Sequence, residues 1–99
     1  MLYAVFAEDV PDSAALRAKG RQEHLRRLHE LVEEGRLVLA GPHPAVDSPE
    51  PGPAGFSGSL IVAEFDSLVA AREWAEADPF AAAGAYARVT VKPFRQVLP

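Results

Sequence analysis

The hydrophobic positions along the chain change their spacing in a regular order, which predicts two similar strand–helix–strand halves. Short apolar runs bounded by acidic residues, proline or glycine are typical of buried strands. Apolar positions three and four residues apart are typical of helices that bury one side. The predicted strands are residues 2–7, 36–42, 59–65 and 85–94, and the predicted helices are residues 13–34 and 67–77.

The predicted helices begin and end at residues with capping chemistry. A side-chain oxygen of Asp12 or Ser13 can accept the free amide hydrogens of the first helical turn. Asp66 or Ser67 can do the same for the second helix. Gly35 is a good left-handed terminator, so the first helix is expected to stop just before it.

Each helix carries an apolar stripe that is expected to face a sheet. Gly20 interrupts the first helical pattern and is expected to loosen or kink it. The predicted inner stripe of the first helix is Leu25, Leu28, Leu31 and Val32. The predicted inner stripe of the second helix is Leu68, Ala71, Trp74 and Ala75.

The order of elements, βαββαβ, predicts an α+β fold of the ferredoxin-like type. Right-handed crossovers place both helices on the same side of a four-stranded antiparallel sheet. A chain of 99 residues has room for only one core, so residues 1–99 form a single domain.

The first strand is apolar on both of its alternating faces, which a sheet with one face in water should not be. Because the helices cover only one side, the other side needs a different cover. The sheet of a second copy is the simplest one, so a homodimer is predicted. The side chains expected to furnish the two faces between them are Tyr3, Val5, Ile61, Ala63, Phe65, Val89 and Val91.

Residues 41–58 form a segment rich in turn residues, with five of the nine prolines and four glycines. The segment is predicted to be a loop of turns and extended pieces rather than an element of its own. A loop of this length in a small domain is usually functional or mobile. It is expected to close over a pocket and to bring Phe56 to it.

Charge and composition exclude several classes of function. The net charge is −4, with 10 basic and 14 acidic residues, and this argues against nucleic acid as a partner. There is no cysteine, so disulfides, thiolate chemistry and cysteine-based zinc sites are excluded. No apolar run approaches the roughly 18 residues of a membrane span. The chain is expected to be cytoplasmic and not to bind membranes.

Histidines are the natural candidates for chemistry near neutral pH. His24 precedes Leu28 by four residues, so it lies at the margin of the predicted stripe and is either a half-buried structural residue or a functional one. His29 is expected at the surface. His43, between two prolines, either lines a site or is an exposed loop residue.

Asp78 stands before Pro79 at the predicted start of a short helical turn. Aspartate suits the cap and proline suits the first helical position, so ordinary capping explains the pair. The small residues that follow, 81–84, either allow close packing or leave space for a small molecule. No metal-binding or nucleotide-binding motif is present, and no motif marks a serine as a nucleophile, so no metal or cofactor is expected.

Several segments of the chain together carry a family resemblance. They are MLYAVFAED at the start, the spacing of Arg17, Arg21 and His24, and WAEADPFAAAGAY at 74–86. To these are added EEGRLVLAGPHPAVDS, GFSGSLIVAEFDSL and VKPF. With these segments the whole chain resembles the YCII-related domain family, and in particular its YciI-like branch. The resemblance implies a fold similar to muconolactone isomerase, in which two ferredoxin-like chains form a dimeric α/β barrel.

The resemblance also implies a site. It makes His24 and Asp78 a catalytic pair, in which the carboxylate orients the imidazole and increases its basicity. It further implies activities like that of the chlorinated-hydroquinone dehydrochlorinase in the wider family.

Two functions are therefore expected. The first is a small cofactor-free enzyme of the elimination, isomerisation or lyase type, acting on a small anionic or phenolic substrate. Arg17 and Arg21 would hold the substrate anion, unless they only pair with surface acids. Phe56 and Ser59 are further candidate substrate contacts. The alternative is a non-catalytic module that binds a small metabolite or serves as a dimerisation surface.

Overall fold

A computed structural model, which describes residues 1–99, confirms the predicted order of elements. The strands are β1 (Leu2–Asp9), β2 (Leu37–Pro44), β3 (Phe56–Glu64) and β4 (Tyr86–Phe94). The sheet has the strand order β2-β3-β1-β4, and every neighbouring pair is antiparallel. This is the ferredoxin-like arrangement. The helices are α1 (Ala14–Glu33), α2 (Leu68–Glu76) and the short α3 (Pro79–Ala82) that follows Asp78.

The proline-rich segment is shorter than predicted, because the sheet continues into both of its ends. β2 runs to Pro44 and β3 starts at Phe56, so the true connection is residues 45–55, with a 3-10 turn at Gly52–Ala54. The amide of Ala45 donates to the Gly55 carbonyl oxygen at 2.9 Å. Prolines fit in β2 because it is an edge strand and its outer backbone groups need no partner.

The core lies between the sheet and the helices. Tyr3 pairs with Ala63 across the β1–β3 ladder, and Val5 pairs with both Ile61 and Val91. Residues paired in this way point to the same face. The seven side chains that were expected to be shared between the two faces of the sheet therefore all belong to the core on the helix side or pack against it. The expectation that they cover both faces was wrong.

The opposite face of the sheet carries large apolar side chains, together with polar ones such as Thr90 and Lys92 on β4, and no helix covers it. Phe6 and Phe94 are each 41% exposed and Leu39 is 47% exposed. The register of the strands gives this face its apolar members, which are Leu2, Ala4, Phe6, Leu39, Leu60, Val62 and Phe94. We call this set the open sheet face. Its presence confirms the prediction that β1 is apolar on both sides.

The buried side of α1 is rotated relative to the predicted stripe. Leu31 is buried and Leu28 packs against the core, as predicted. Leu25 and Val32 are 40% and 55% exposed, so they do not belong to the buried stripe. Their places are taken by Gly20 and His24, because α3 packs against this side of α1.

Gly20 lies where α3 approaches α1 and does not break the helix. A Cβ atom at this position would lie 2.9 Å from the Pro79 carbonyl oxygen and 3.1 Å from Cδ1 of Phe80. Because Gly20 has no side chain, α1 and α3 can approach each other this closely. The expected loosening or kink does not occur, since α1 is continuous from Ala14 to Glu33.

The helix caps follow the predictions except at the start of α1. The Ser67 hydroxyl accepts the Ala70 amide hydrogen at 3.0 Å. Gly35 has a φ of +70°, and the next amide, of Arg36, donates back to the Leu31 carbonyl oxygen at 2.9 Å. Ser13 makes no side-chain cap, because its hydroxyl donates to Asp9 instead.

We expect Gly20→Ala to destabilise the protein, although alanine is normally about 1 kcal/mol better than glycine within a helix. The added methyl group would overlap the Pro79 carbonyl, and such overpacking costs about 1–3 kcal/mol. Urea unfolding measures the difference. Ala18→Gly, at an exposed position one half-turn earlier, is the control for propensity alone. An increase in stability for Gly20→Ala would contradict the close helix contact.

Candidate functional site

The Asp78 carboxylate has two roles at one position. As the N-cap of α3 it accepts the Phe80 amide hydrogen on Oδ1 at 2.8 Å. Both of its oxygens also lie 2.9 Å from Nδ1 of His24. Asp78 is 2% exposed and His24 is 7% exposed, so the pair is shielded from water. The capping explanation is correct, and so is the contact that the family resemblance implied.

The geometry determines which ring nitrogen of His24 carries the proton. An ionised carboxylate only accepts hydrogen bonds, so Nδ1 donates to Asp78. In a neutral ring the lone pair is then on Nε2. His24 lines a cavity of about 170 Å³ that Asp78 does not reach, so the nitrogen remote from Asp78 is the one available to a ligand.

The cavity lies between α1 and the β2–β3 side of the sheet. Its wall is mainly apolar on the strand side, and its charged groups come from α1. It is lined by Arg17, Arg21, His24, Leu25, Leu28, Ala40, Gly41, Pro42, Ser59, Ile61 and Phe80. Leu25 is exposed because its side chain forms part of this wall.

Phe80 fixes the imidazole plane. Its ring stacks on His24 with centroids 4.0 Å apart and an angle of 21° between the planes. The guanidinium carbon of Arg17 lies 4.8 Å from the same phenyl centroid. The contacts with the Asp78 carboxylate therefore restrain the His24 ring within its own plane, and the stacking of Phe80 restrains the tilt of that plane.

Arg17 is held rigidly by a buried ion pair. Its Nε and Nη2 atoms donate to the two Asp9 oxygens at 2.6 and 3.0 Å. Nη2 also donates to the Gly58 carbonyl at 2.9 Å and to the Ser59 hydroxyl at 2.8 Å. Asp9 accepts a further bond from Ser13 at 2.5 Å. Arg17 pairs with a buried acid, not a surface one, and it positions the Ser59 hydroxyl at the cavity wall.

Arg21 and Phe56 stand at the mouth of the site. Arg21 is exposed and lines both the cavity beside His24 and a larger, adjoining one of about 350 Å³. Phe56 lines only the adjoining cavity, together with Gly52 and Gly55 of the connection. The predicted site residues are thus arranged around two adjoining cavities, with His24 at the smaller one and Asp78 behind His24.

The other two histidines lie away from the cavity. His29 is exposed on α1, as predicted. His43 lies on the open sheet face, where its ring contacts Phe6 with centroids 4.9 Å apart. Neither lines the cavity, so His24 is the histidine of this site.

Three residues near the pair were not identified from the sequence. Phe80 stacks on the imidazole, and Arg27 lies 4.0 Å from Oδ2 of Asp78. Tyr86 packs edge-on against Phe80. Arg27 follows His24 by three residues, and this helical spacing was the one signal that could have identified it.

The Tyr86 hydroxyl is buried and forms no hydrogen bond. Burial, and next the negative charge of Asp78, raise the pKa of Tyr86 to about 12. The hydroxyl thus remains protonated at neutral pH beside the catalytic candidates.

Two further structural findings concern other classes of function. No three His, Cys, Asp or Glu side chains are grouped as metal ligands would be. None of the helices combines the length and the apolar character that crossing a membrane requires.

The fold and the site together define a class: a ferredoxin-like domain with a buried His–Asp pair beside a small, mainly apolar cavity. The chain belongs to the YCII-related domain family, whose model matches residues 1–95. It is 57% identical over 97 residues to Protein YciI of Escherichia coli O6:H1, covering 98% of this chain and 99% of that protein. It is 48% identical over the same length to a protein of Haemophilus influenzae, with the same coverage.

A solved structure shares the fold. It is 5-chloro-2-hydroxyhydroquinone dehydrochlorinase (TftG) of Burkholderia phenoliruptrix AC1100, in complex with 2,5-dihydroxybenzoquinone. The TM-score is 0.82 at 25% sequence identity, and the match covers 96% of this chain and 94% of that one. This protein therefore shares its fold with TftG, which is an enzyme for a small molecule.

We expect Tyr86→Phe to be more stable than the wild type at neutral pH by about 1 kcal/mol, because it removes a buried hydroxyl without a partner. The advantage should grow by a further ~1–2 kcal/mol between about pH 10 and 12. In that range the unfolded wild type releases the tyrosine proton while the folded state, with its raised pKa, retains it. Urea unfolding across this pH range tests both effects, and parallel pH profiles would contradict the second.

Proposed function

We propose that this protein is a cofactor-free enzyme that uses His24 and Asp78 for general acid–base catalysis on a small monocyclic, phenolic or anionic substrate. The observation that carries the proposal is the buried pair, in which one histidine nitrogen is bound by a carboxylate and the other is available to the cavity.

The size of the cavity supports a single-ring substrate. An apolar protein cavity of about 150 Å³ accommodates benzene. The cavity beside His24 is about 170 Å³, and it continues toward Arg21 at its mouth. A ring can therefore lie against the apolar wall while its oxygen substituents face the polar groups. The substituted quinone named with TftG has this character.

The proposed chemistry is proton transfer within an elimination, isomerisation or lyase reaction. Nε2 of His24 takes a proton from a C–H or O–H group of the substrate, and Asp78 stabilises the resulting imidazolium. In an elimination, the electron pair left on the substrate forms the new double bond and expels the leaving group with its bonding electrons. In an isomerisation, the imidazolium returns the proton to another atom of the substrate.

The two arginines have different parts in substrate binding. Arg17 is fixed by Asp9, and its Nη1 atom is the one that makes no hydrogen bond to protein. It presents a positive charge at a fixed place beside Ser59. Arg21 is exposed and free to move toward an incoming anion. The connection 45–55, next to Phe56, is positioned to close the mouth, and that closure stays a prediction.

We expect His24→Gln and Asp78→Asn each to lower turnover by about 10²- to 10⁴-fold, because either change removes the proton-transfer group or its orientation. The assay is chloride release from 5-chloro-2-hydroxyhydroquinone and related chlorinated phenols. His29→Gln, on the exposed side of the same helix, is the matched control and should leave turnover unchanged.

Unchanged turnover in His24→Gln would refute the assignment of the base. Binding of 2,5-dihydroxybenzoquinone and related rings, measured by calorimetry, without turnover of any chlorinated phenol would favour the alternative, a metabolite-binding module.

We also infer that two copies pack through the open sheet face to form a dimeric α/β barrel. This face places large apolar side chains in water, and soluble monomers rarely expose such contiguous patches. Charged residues at its ends, Glu8 and Arg88 among them, suit the rim of an interface. A cytoplasmic setting for the protein stays a prediction.

We expect light scattering at micromolar concentration to give twice the 10.6 kDa mass of the chain. Phe6→Glu should give the monomer mass, because it would bury a charge in the centre of the proposed interface. Val69→Glu is the control, since Val69 is 62% exposed on α2, away from the sheet. A monomeric wild type would contradict the proposal.

A further inference from the structure

Arg27 is a nearly buried cation that lies next to the carboxylate of the His24–Asp78 pair. Its side chain is 15% exposed, and Nη1 lies 4.0 Å from Oδ2 of Asp78. Oδ2 is also an acceptor for Nδ1 of His24. The imidazole and the guanidinium therefore share one carboxylate oxygen.

The packing of Arg27 keeps its charge at this place. Nη2 donates to the Trp74 carbonyl oxygen at 2.7 Å, at the end of α2. The guanidinium carbon lies 4.4 Å from the Trp74 ring centroid, in a cation–π contact. Nη1 is buried and makes no hydrogen bond. A buried donor without a partner is costly, and the Asp78 carboxylate at 4.0 Å is the opposite charge that can offset this cost.

The charges around the pair favour one protonation state. With Arg27 and Asp78 both ionised, the buried group is neutral when His24 carries a single proton. A second proton on His24 would create a net positive charge near Arg21, the other cavity arginine being neutralised by Asp9. Without Arg27, the Asp78 anion would be balanced only by a doubly protonated His24.

We propose that Arg27 is a positioning residue that keeps Asp78 anionic and the resting His24 ring singly protonated, so that Nε2 is ready to accept a proton. The inference deepens the proposed function, since it explains how His24 is kept in the form of a base. It concerns the protonation of the site, which can be measured without any substrate.

The other titratable groups near the His24–Asp78 pair do not neutralise the charge of Asp78. Tyr86 faces Asp78 from β4, but burial raises its pKa to about 12, so it is neutral at the relevant pH. On the outer side of Arg27 lie Glu30 and Arg26, which bond to each other at the surface. Burial lowers the pKa of Arg27 and Asp78 opposes this change, so the guanidinium remains charged.

The test is a pH titration of the His24 ring nitrogens by ¹⁵N NMR in Arg27→Gln, Arg27→Lys and the wild type. We expect the doubly protonated fraction of His24 at pH 7 to be about tenfold higher in Arg27→Gln. Arg27→Lys should stay close to the wild type, because it keeps the charge. Arg26→Gln is the matched control, as Arg26 is exposed and pairs with Glu23 and Glu30 instead. Equal titration of His24 in Arg27→Gln and Arg26→Gln would overturn the proposal.

A second measurement needs no substitution. If His24 and Arg27 share Oδ2, protonation of His24 must weaken the attraction of Asp78 for Arg27, because linkage is reciprocal. We expect the guanidinium ¹⁵N signals of Arg27 in the wild type to change with the same pH midpoint as the His24 ring. Signals of Arg27 that do not respond while His24 titrates would overturn the proposal even if Arg27→Gln does not fold.

The outcomes also separate this inference from the proposed function. A response of Arg27 and His24 without turnover of any chlorinated phenol would support the charge balance and count against the enzyme. Turnover that depends on His24, with no response of Arg27, would support the enzyme and refute the role of Arg27.

Discussion

The contact between Asp78 and His24 is the interaction on which the rest of the site depends. It joins the start of α3 to the middle of α1, across 54 positions of the chain. Because the same carboxylate caps α3, its direction is determined by the backbone and not only by its rotamer. A buried carboxylate needs hydrogen bonds and an opposite charge. The Phe80 amide, the His24 ring and the nearby Arg27 together meet that need.

This contact requires a close approach of the two helices, and Gly20 permits it. The backbone of Pro79 fills the space where a side chain of residue 20 would be. That approach brings Phe80 onto the imidazole and turns Leu25 toward the cavity instead of the core. Because α1 is rotated, Leu25 lines the cavity and adds nothing to the apolar core. Gly20 and the hydrogen-bonded His24 occupy the side of α1 on which the apolar pattern predicted Leu25 and Val32.

The polar groups of the site form two separate ion-pair systems. Asp9 holds Arg17, and through it Ser59, at one wall of the cavity. Asp78 serves His24, which lines the cavity, and Arg27, which lies outside it. Phe80 lies between the systems, in contact with both Arg17 and His24. Under the proposed function, Arg17 would hold a substrate anion and His24 would transfer protons, so the two roles would belong to separate ion-pair systems. The fold is shared with a dehydrochlorinase.

Local spacing along the chain predicted the order of elements, the capping roles of Ser67, Asp78 and Gly35, and an apolar first strand with two faces. These features depend on local spacing and backbone chemistry, which are readable along the chain. The family resemblance added the link between His24 and Asp78, which spacing alone left open. The pattern of the chain did not predict which side of α1 is buried, which acid holds Arg17, or that Arg27 and Phe80 lie beside the pair. Those outcomes depend on contacts between residues distant in the chain, where packing overrides the pattern of any one helix.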